Sequence, residues 1–232
     1  MITKLARIAL VLVAAVAMCS CSDGEYVVQD NMVLYSYWTF SFGTRTDTLP
    51  GADPATFKVV KNWLAHDAQH VYFKSYLIDG ADPATIKNKK YPLSCDSKDY
   101  YYEEKALHVA DMATFKILND GIFWAKDSKC AYYEDKRIDV VDAKAFHLIN
   151  PGIATDGHHV YQYGNLIPEA DPATFVDLEE GYTKDHAHVW YLGNLVAGAD
   201  PATFTIDKEG IARDKLGVFY RGERDTTATE AQ

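Results

Sequence analysis

The sequence predicts a mainly β protein made of tandem units of about 29 residues. Three observations carry that reading. A phrase of the form GADPATF recurs six times: GADPATF at Asp53, GADPATI at Asp82, VADMATF at Asp111, VVDAKAF at Asp142, EADPATF at Asp171 and GADPATF at Asp200. These aspartates are 29, 29, 31, 29 and 29 residues apart. Midway between them runs a second phrase with the same period, in which an Asp precedes small or polar residues and then β-branched and aromatic ones. A fixed period of this length marks a repeat architecture, in which each unit buries its apolar face against the next.

The second phrase reads HDAQHVYF at Asp67, CDSKDYYY at Asp96, KDSKCAYY at Asp127, TDGHHVYQ at Asp156, KDHAHVWY at Asp185 and RDKLGVFY at Asp214. A weaker copy, QDNMVLYSY, contains Asp30. Asp, Ser, Gly and Lys suit a tight turn, and Val, Tyr, Phe and Trp suit a pleated strand, so the phrase predicts a β-hairpin. A second turn follows soon after, at Tyr163-Gly164-Asn165-Leu166 and Leu192-Gly193-Asn194-Leu195. In the first phrase, Asp is a preferred N-cap and Pro is favoured at the first helical position. Asp53, Asp82, Asp111, Asp142, Asp171 and Asp200 are therefore read as structural caps of a short helical turn. The aromatic residue at its end plugs the core, and a short strand follows. The expected architecture is a β-solenoid or a curled antiparallel sheet, with a small propeller as the alternative.

The ends depart from the period. Lys4 and Arg7 precede an apolar run from Ile8 to Met18, which predicts an export signal over residues 1–20, too short to span a bilayer comfortably. Its end, Cys19-Ser20-Cys21, resembles a bacterial lipoprotein signal, which implies lipidation at Cys21. Residues 21–49 read as a tether and an N-terminal cap carrying a degenerate half-repeat. Residues 50–221 form the repeat domain and 222–232 a polar disordered tail. Between Asp30 and Asp53 the chain is longer than between the corresponding later phrases, and the extra stretch, about 37–48, contains Trp38, Phe40 and Phe42.

The chain carries a net charge of −10, and without residues 1–20 its 21 basic residues face 33 acids for a net of −12. Such a surface repels phosphate backbones, which argues against nucleic acid as a partner. Cys95 and Cys130 are candidates for a disulfide if the chain meets an oxidising compartment. His70, His159 and His188 share one slot, three residues after the hairpin aspartate, but Asp99, Cys130 and Gly217 fill the same slot, so a polar turn position explains them better than a metal site. The repeated aspartates lack the loop patterns of calcium sites. No G-x-S-x-G, no Gly-rich phosphate loop and no C-x-x-C is present, and the Glu103-Glu104 and Glu179-Glu180 pairs lie on polar connections. No cofactor is expected and the chain is not read as an enzyme. A special site, if the chain has one, is expected where the period breaks: the 37–48 insertion, the longer unit around Lys129 to Asp142, and the Pro-less phrases at Asp111 and Asp142.

The two phrases together, shown best by KDHAHVWYLGNLVAGADPATF around Asp185 and by the copy at Asp156, resemble the bacterial DKNYY family over about residues 50 to 221. The resemblance implies a repeat protein, often exported or lipidated, and brings no established activity or catalytic residues. The functional expectation is a lipid-anchored repeat protein of the bacterial envelope, in the outer membrane facing the periplasm, touching the membrane through its lipid only. It would bind or scaffold an unknown protein or glycan through a tyrosine-rich face. Two rivals are an immunity-type protein that neutralises a toxin and an envelope glycan-processing hydrolase. The hydrolase would need two non-repeat carboxylates across a concave pocket.

Overall fold

Each period folds into a four-stranded antiparallel meander whose strands are only two to four residues long. The computed structural model describes residues 24–119 and 123–225. Over these residues a three-stranded N-terminal sheet (residues 25–48) is followed by six four-stranded sheets. They are numbered here 1 to 6 and cover residues 58–77, 87–106, 116–139, 147–167, 176–195 and 205–224. In sheet 4, for example, His147–Asn150, Ile153–Thr155, Val160–Gln162 and Asn165–Ile167 pair in chain order.

Sheet 4 shows how the sequence dictates this. The third strand carries Val160, Tyr161 and Gln162, all buried, so both faces of the sheet are covered. Alternation sends neighbouring side chains to opposite faces. Tyr161, five residues after Asp156, packs back on sheet 3 with Trp124, Ala131 and Phe146. Val160 packs forward with Trp190 of sheet 5. The same division holds along the chain. Tyr72 faces the N-terminal sheet, whereas Val71 and Phe73 face Tyr101 of sheet 2. The core is thus divided into six clusters, each shared by two consecutive sheets.

Of the expected architectures, the single curled sheet is not formed: discrete antiparallel sheets stack face against face. The reason lies in the apolar content of both faces of the middle strands, which must be covered by whole neighbouring units. The outer strands are short and exposed, and consecutive units are not hydrogen-bonded into one sheet.

The GADPATF phrase also differs from expectation. It forms a β-turn, not a helical one, and no helix occurs among the described residues. One backbone bond closes it, Thr56 N–H to the Asp53 carbonyl at 3.2 Å, and the equivalent bond recurs at Thr85, Thr114, Thr174 and Thr203. A helical nucleus fixes several residues for one bond. Here the residues after the aromatic plug enter a strand at once, so nothing propagates the turn. At Asp142 the turn is wider, with Phe146 N–H donating to the Asp142 carbonyl at 3.1 Å.

What holds each unit is the aspartate of the other phrase. Asp67, Asp96, Asp127, Asp156 and Asp185 are all at most 6 % exposed. Asp67 Oδ1 accepts the backbone N–H groups of Gln69 and His70 at 2.7 and 2.6 Å, which shapes its own hairpin loop. Its Oδ2 accepts the N–H of Asp53, fourteen residues earlier, at 3.0 Å. The hydroxyl of Tyr72 donates to the same oxygen at 3.3 Å. The corresponding tyrosine bonds are 2.8 Å for Tyr101 to Asp96, 2.7 Å for Tyr132 to Asp127 and 3.0 Å for Tyr161 to Asp156. Trp190 and Phe219 take the tyrosine slot in sheets 5 and 6. In sheet 6 the Arg224 guanidinium reaches Asp214 instead, at 3.3 Å.

The plug turns dock beside these hubs. Their aromatic residues meet the ring five residues after the hub, with centroid distances of 6.2 Å for Phe57–Tyr72, 5.5 Å for Phe115–Tyr132, 6.2 Å for Phe146–Tyr161, 5.9 Å for Phe175–Trp190 and 5.2 Å for Phe204–Phe219. Lysines tie one unit to the next. Lys126 Nζ donates to the carbonyls of Ala143 and Phe146 at 2.8 and 2.7 Å, and Lys184 Nζ to those of Pro201 and Phe204 at 2.9 and 2.9 Å.

Cys95 and Cys130 are free and buried, and no bridge joins them. Cys130 Sγ donates to Asp139 Oδ1 at 3.5 Å, and burial pushes both thiols up from their ordinary pKa. The two extra residues of the long period fall between Asp111 and Asp127, before the stretch from Lys129 to Asp142 where the break was expected. They enter the loop between the strands Lys116–Ile117 and Trp124–Lys126, part of which lies outside the described residues.

The hub carboxylates set the response to mutation and to acid. Asp156→Ala strips partners from the N–H groups of Val141, His158 and His159 and from the Tyr161 hydroxyl. We expect it to lose about 3 kcal/mol or more of stability in urea unfolding, because stranded buried donors cost more than a lost bond. Burial pushes the Asp67 carboxyl up, but the N–H groups of Asp53, Gln69 and His70 outweigh it and hold its pKa at about 2, below the ordinary 3.8. Asp96, Asp127, Asp156, Asp185 and Asp214 are likewise held low against burial. The unfolded chain then binds protons first as pH falls, so stability is fully present above the ordinary carboxylate range and is lost between about pH 4 and pH 2. A urea midpoint at pH 3 equal to that at pH 7 would refute this.

Candidate binding surface at the N-terminal junction

The cap aspartates are placed to shape turns. Asp53 Oδ1 accepts Ala55 N–H at 3.0 Å and its Oδ2 accepts the Thr56 hydroxyl at 2.7 Å; Thr56 Oγ1 in turn accepts Ala68 N–H at 3.1 Å. Asp82, Asp171 and Asp200 repeat this pattern with Thr85, Thr174 and Thr203. Asp111 accepts from Ala113 N–H and from the Ser128 hydroxyl. At Asp142, Ala145 stands where the threonine would be, and Asp142 Oδ1 accepts Lys144 and Ala145 N–H groups. There the hub-loop N–H that elsewhere reaches the turn threonine, that of Gly157, instead donates within its own loop to Thr155 Oγ1 at 3.0 Å. Their bonds go to the turn and to the neighbouring hub loop, where Ser128, His186 and Lys215 meet Asp111, Asp171 and Asp200.

The histidine slot is similarly occupied. His70, His159 and His188 lie beside their own hub carboxylates at 3.3, 3.6 and 3.7 Å. Among the described residues, no group of three or more His, Cys, Asp or Glu side chains is placed to hold a metal ion. Cys21 and residues 1–20 lie outside the described residues.

A surface that the period does not explain lies at the N-terminal sheet. Its second and third strands, Met32–Thr39 and Gly43–Thr48, form the longest hairpin described, paired from Leu34↔Thr48 to Thr39↔Gly43. Val33 and Tyr35 point inward and pack with Leu49 against Tyr72 of sheet 1. The hairpin then runs past the strands it covers. Trp38, Phe40 and Phe42 are left 57, 94 and 71 % exposed. Trp38 and Phe40 meet edge-on at 5.7 Å and order each other, and the Arg45 guanidinium lies 4.5 Å over Phe42.

Between this hairpin and sheet 1 is a cleft of about 230 Å³ lined by Tyr35, Tyr37, Trp38, Asp47, Lys74, Ser75 and Tyr76. Ser75 Oγ donates to Asp47 Oδ2 at 3.4 Å. Asp47, hydrogen-bonded to the Tyr37 hydroxyl, raises that phenol above its ordinary pKa and keeps it a donor. Lys74 Nζ donates to the Tyr91 hydroxyl at 3.3 Å and sits 5.2 Å over the Phe73 ring, which fixes its charge at the rim. Tyr76 completes the rim at 60 % exposure. The arrangement offers a rigid aromatic shelf, one carboxylate and one ammonium group. Chemically it suits contact: its one carboxylate, Asp47, is engaged with the hydroxyls of Ser75 and Tyr37.

The insertion over residues 37–48 was therefore legible as a break, but the lining residues of sheet 1 were not. Nothing in the sequence singles out Lys74, Ser75 and Tyr76, and only the fold brings them under the hairpin.

No curated protein and no solved structure matches the chain. The model of the DKNYY family matches residues 26–191. The match includes the N-terminal sheet and ends within sheet 5, while sheet 6 repeats the same meander beyond it. The chain belongs to the DKNYY family.

Proposed function

We propose that the chain is a non-enzymatic binding module of the bacterial cell envelope that holds a protein partner through the aromatic tip of its N-terminal hairpin. In this reading residues 1–20 direct export, a lipid on Cys21 anchors the chain in the outer membrane facing the periplasm, and the stacked sheets form the scaffold. The observation that carries it is the exposure of Trp38, Phe40 and Phe42 together, beside a formed cleft. Contiguous exposed rings cost a soluble chain solubility, and such patches mark contact surfaces. Rings have few rotatable bonds, so little entropy is lost when they are covered. The hydrolase reading finds one carboxylate in this cleft, Asp47, and the immunity-type reading rests on charge alone, so neither is carried forward.

The test is affinity capture from envelope extract with the wild type and with a Trp38→Ala/Phe40→Ala/Phe42→Ala variant. We expect a specifically retained protein to fall at least tenfold with the variant, while its urea midpoint stays within the range of surface changes, about 0.5 kcal/mol per site. An unchanged retained set would overturn the assignment of the tip. For the anchor, Cys21→Ser should abolish the mass added by acylation and move the protein from the membrane fraction to the soluble one. Retention of the variant in the membrane fraction would refute the lipid.

A further inference from the structure

We propose a second binding site, for a neutral saccharide, in the cleft between the outer hairpins of sheets 4 and 5. Three observations lead there. The first is a missing ring. Six residues after each hub stand Phe73, Tyr102, Tyr133, Gln162, Tyr191 and Tyr220, so Gln162 alone is not aromatic. In sheets 4, 5 and 6 the turn that follows has a glycine at its second position, Gly164, Gly193 or Gly222, each with positive φ. These glycines sit on the preceding sheet. A Cβ at Gly164 would come within 2.8 Å of Tyr133 Cβ, and one at Gly222 within 2.9 Å of Tyr191 Cβ. At Gly193 the neighbour is Gln162 Oε1, at 3.4 Å. Where the flanking interfaces have a ring, this one has an amide, and a cleft of about 360 Å³ opens beside it.

The second observation is an unsatisfied group. Gln162 is 7 % exposed and lines the cleft, and its Oε1 has no hydrogen-bond partner. A buried amide oxygen without a partner is costly, and a side-chain rotation that brings it to a donor on a ligand recovers that cost. Gln162 thus lines the cleft with a covered oxygen whose bonding capacity is unspent.

The third is the lining. All nine residues are uncharged in a chain of net charge −10. Asn165 and Asn194 bring amides held in place by their own turns, with Asn165 Nδ2 donating to the Tyr163 carbonyl at 3.2 Å and Asn194 Nδ2 to the Leu192 carbonyl at 3.4 Å. Asn165 Oδ1 also accepts from Lys136 Nζ at 2.8 Å. Tyr163, Leu166 and Leu192, each about half exposed, supply apolar surface. Amides both donate and accept, as sugar hydroxyls do, and the C–H face of a pyranose ring suits the flat apolar walls. The lining itself carries no charge, and the neighbouring Lys136 ammonium is engaged with Asn165 Oδ1.

The test is calorimetric titration of the full chain with neutral glucan and N-acetylhexosamine tetrasaccharides, an oligogalacturonate of equal length, and an uncharged peptide. We expect saturable binding of a neutral tetrasaccharide and at least tenfold weaker binding of the oligogalacturonate. Gln162→Tyr, which puts a ring back in the slot, should weaken the neutral ligand at least tenfold. Asn194→Ala, an exposed change that tests the site even if Gln162→Tyr perturbs folding, should weaken it several-fold. Trp38→Ala/Phe40→Ala/Phe42→Ala should bind it as the wild type does, so this site stands or falls apart from the N-terminal tip. The proposal is overturned if none of the neutral tetrasaccharides binds, if only the peptide binds, or if Asn194→Ala and a folded Gln162→Tyr bind as tightly as the wild type.

Discussion

The fold depends on a carboxylate placed where it gathers N–H groups from two segments of the chain. Asp67, with its oxygens shared among Gln69, His70, Asp53 and Tyr72, joins a hairpin loop to a turn fourteen residues earlier. Burying a charge is unfavourable unless it is well hydrogen-bonded, and each hub meets that condition with backbone donors. Charge-assisted bonds of this kind are stronger than neutral ones. A unit with strands of two to four residues has little ladder to stabilise it. The hub supplies the order that the strands are too short to provide.

Given the hub, the stacking follows from side-chain alternation. The tyrosine that bonds the carboxylate must point to the same face as the plug, and both therefore cover the preceding sheet, as Tyr161 and Phe146 do. Their neighbours in the strand must point forward, and they meet the next unit's ring. One polar contact thus fixes both the internal shape of a unit and the direction in which it packs. Lys126 and Lys184 reinforce the direction by reaching the turn carbonyls of the following unit. In sheets 5 and 6 the hydroxyl is absent, and in sheet 6 the Arg224 guanidinium shows that a cationic donor can serve the equivalent carboxylate.

Much of this was readable from the residues, and what was not has a physical reason. The period, the meander of short strands, and the turn at Tyr163-Gly164 followed from composition and spacing; Tyr163 and Gly164 have φ of 48° and 72°, as a type I′ hairpin requires. The helical turn at Asp53-Pro54 did not form, because a good first helical position does not make a helix when the chain enters a strand four residues on. The burial of Asp67 was missed because an Asp in a polar loop reads as solvated, and its decisive partner is distant in sequence. A signal did exist: an Asp followed five residues later by Tyr in four of six copies. The separateness of the sheets was hidden for a similar reason. Strand propensity fixes where pairing occurs, but whether units join edge to edge or face to face is decided by the apolar content of both strand faces, Leu64, Ala65, Val71 and Tyr72 among them.

Periodic and aperiodic residues then divide the work. A residue that recurs once per unit has its role fixed by the unit, since hub, cap, plug and ring are all committed to contacts within the stack. Trp38, Phe40 and Phe42 have no counterpart in later units, and the fold leaves them in solvent. Gln162 occupies a slot that is aromatic in every other copy, and the fold leaves its oxygen unpaired. These departures lie far apart in the order of sheets, and each is bordered by intact units. A repeat scaffold tolerates such local exchange because a unit's stability comes from its own hub and its two neighbours. A ring can therefore be exposed, or replaced by an amide, without disturbing the hubs that hold the rest of the stack. That independence is the physical reason to seek recognition in the exceptions to the period.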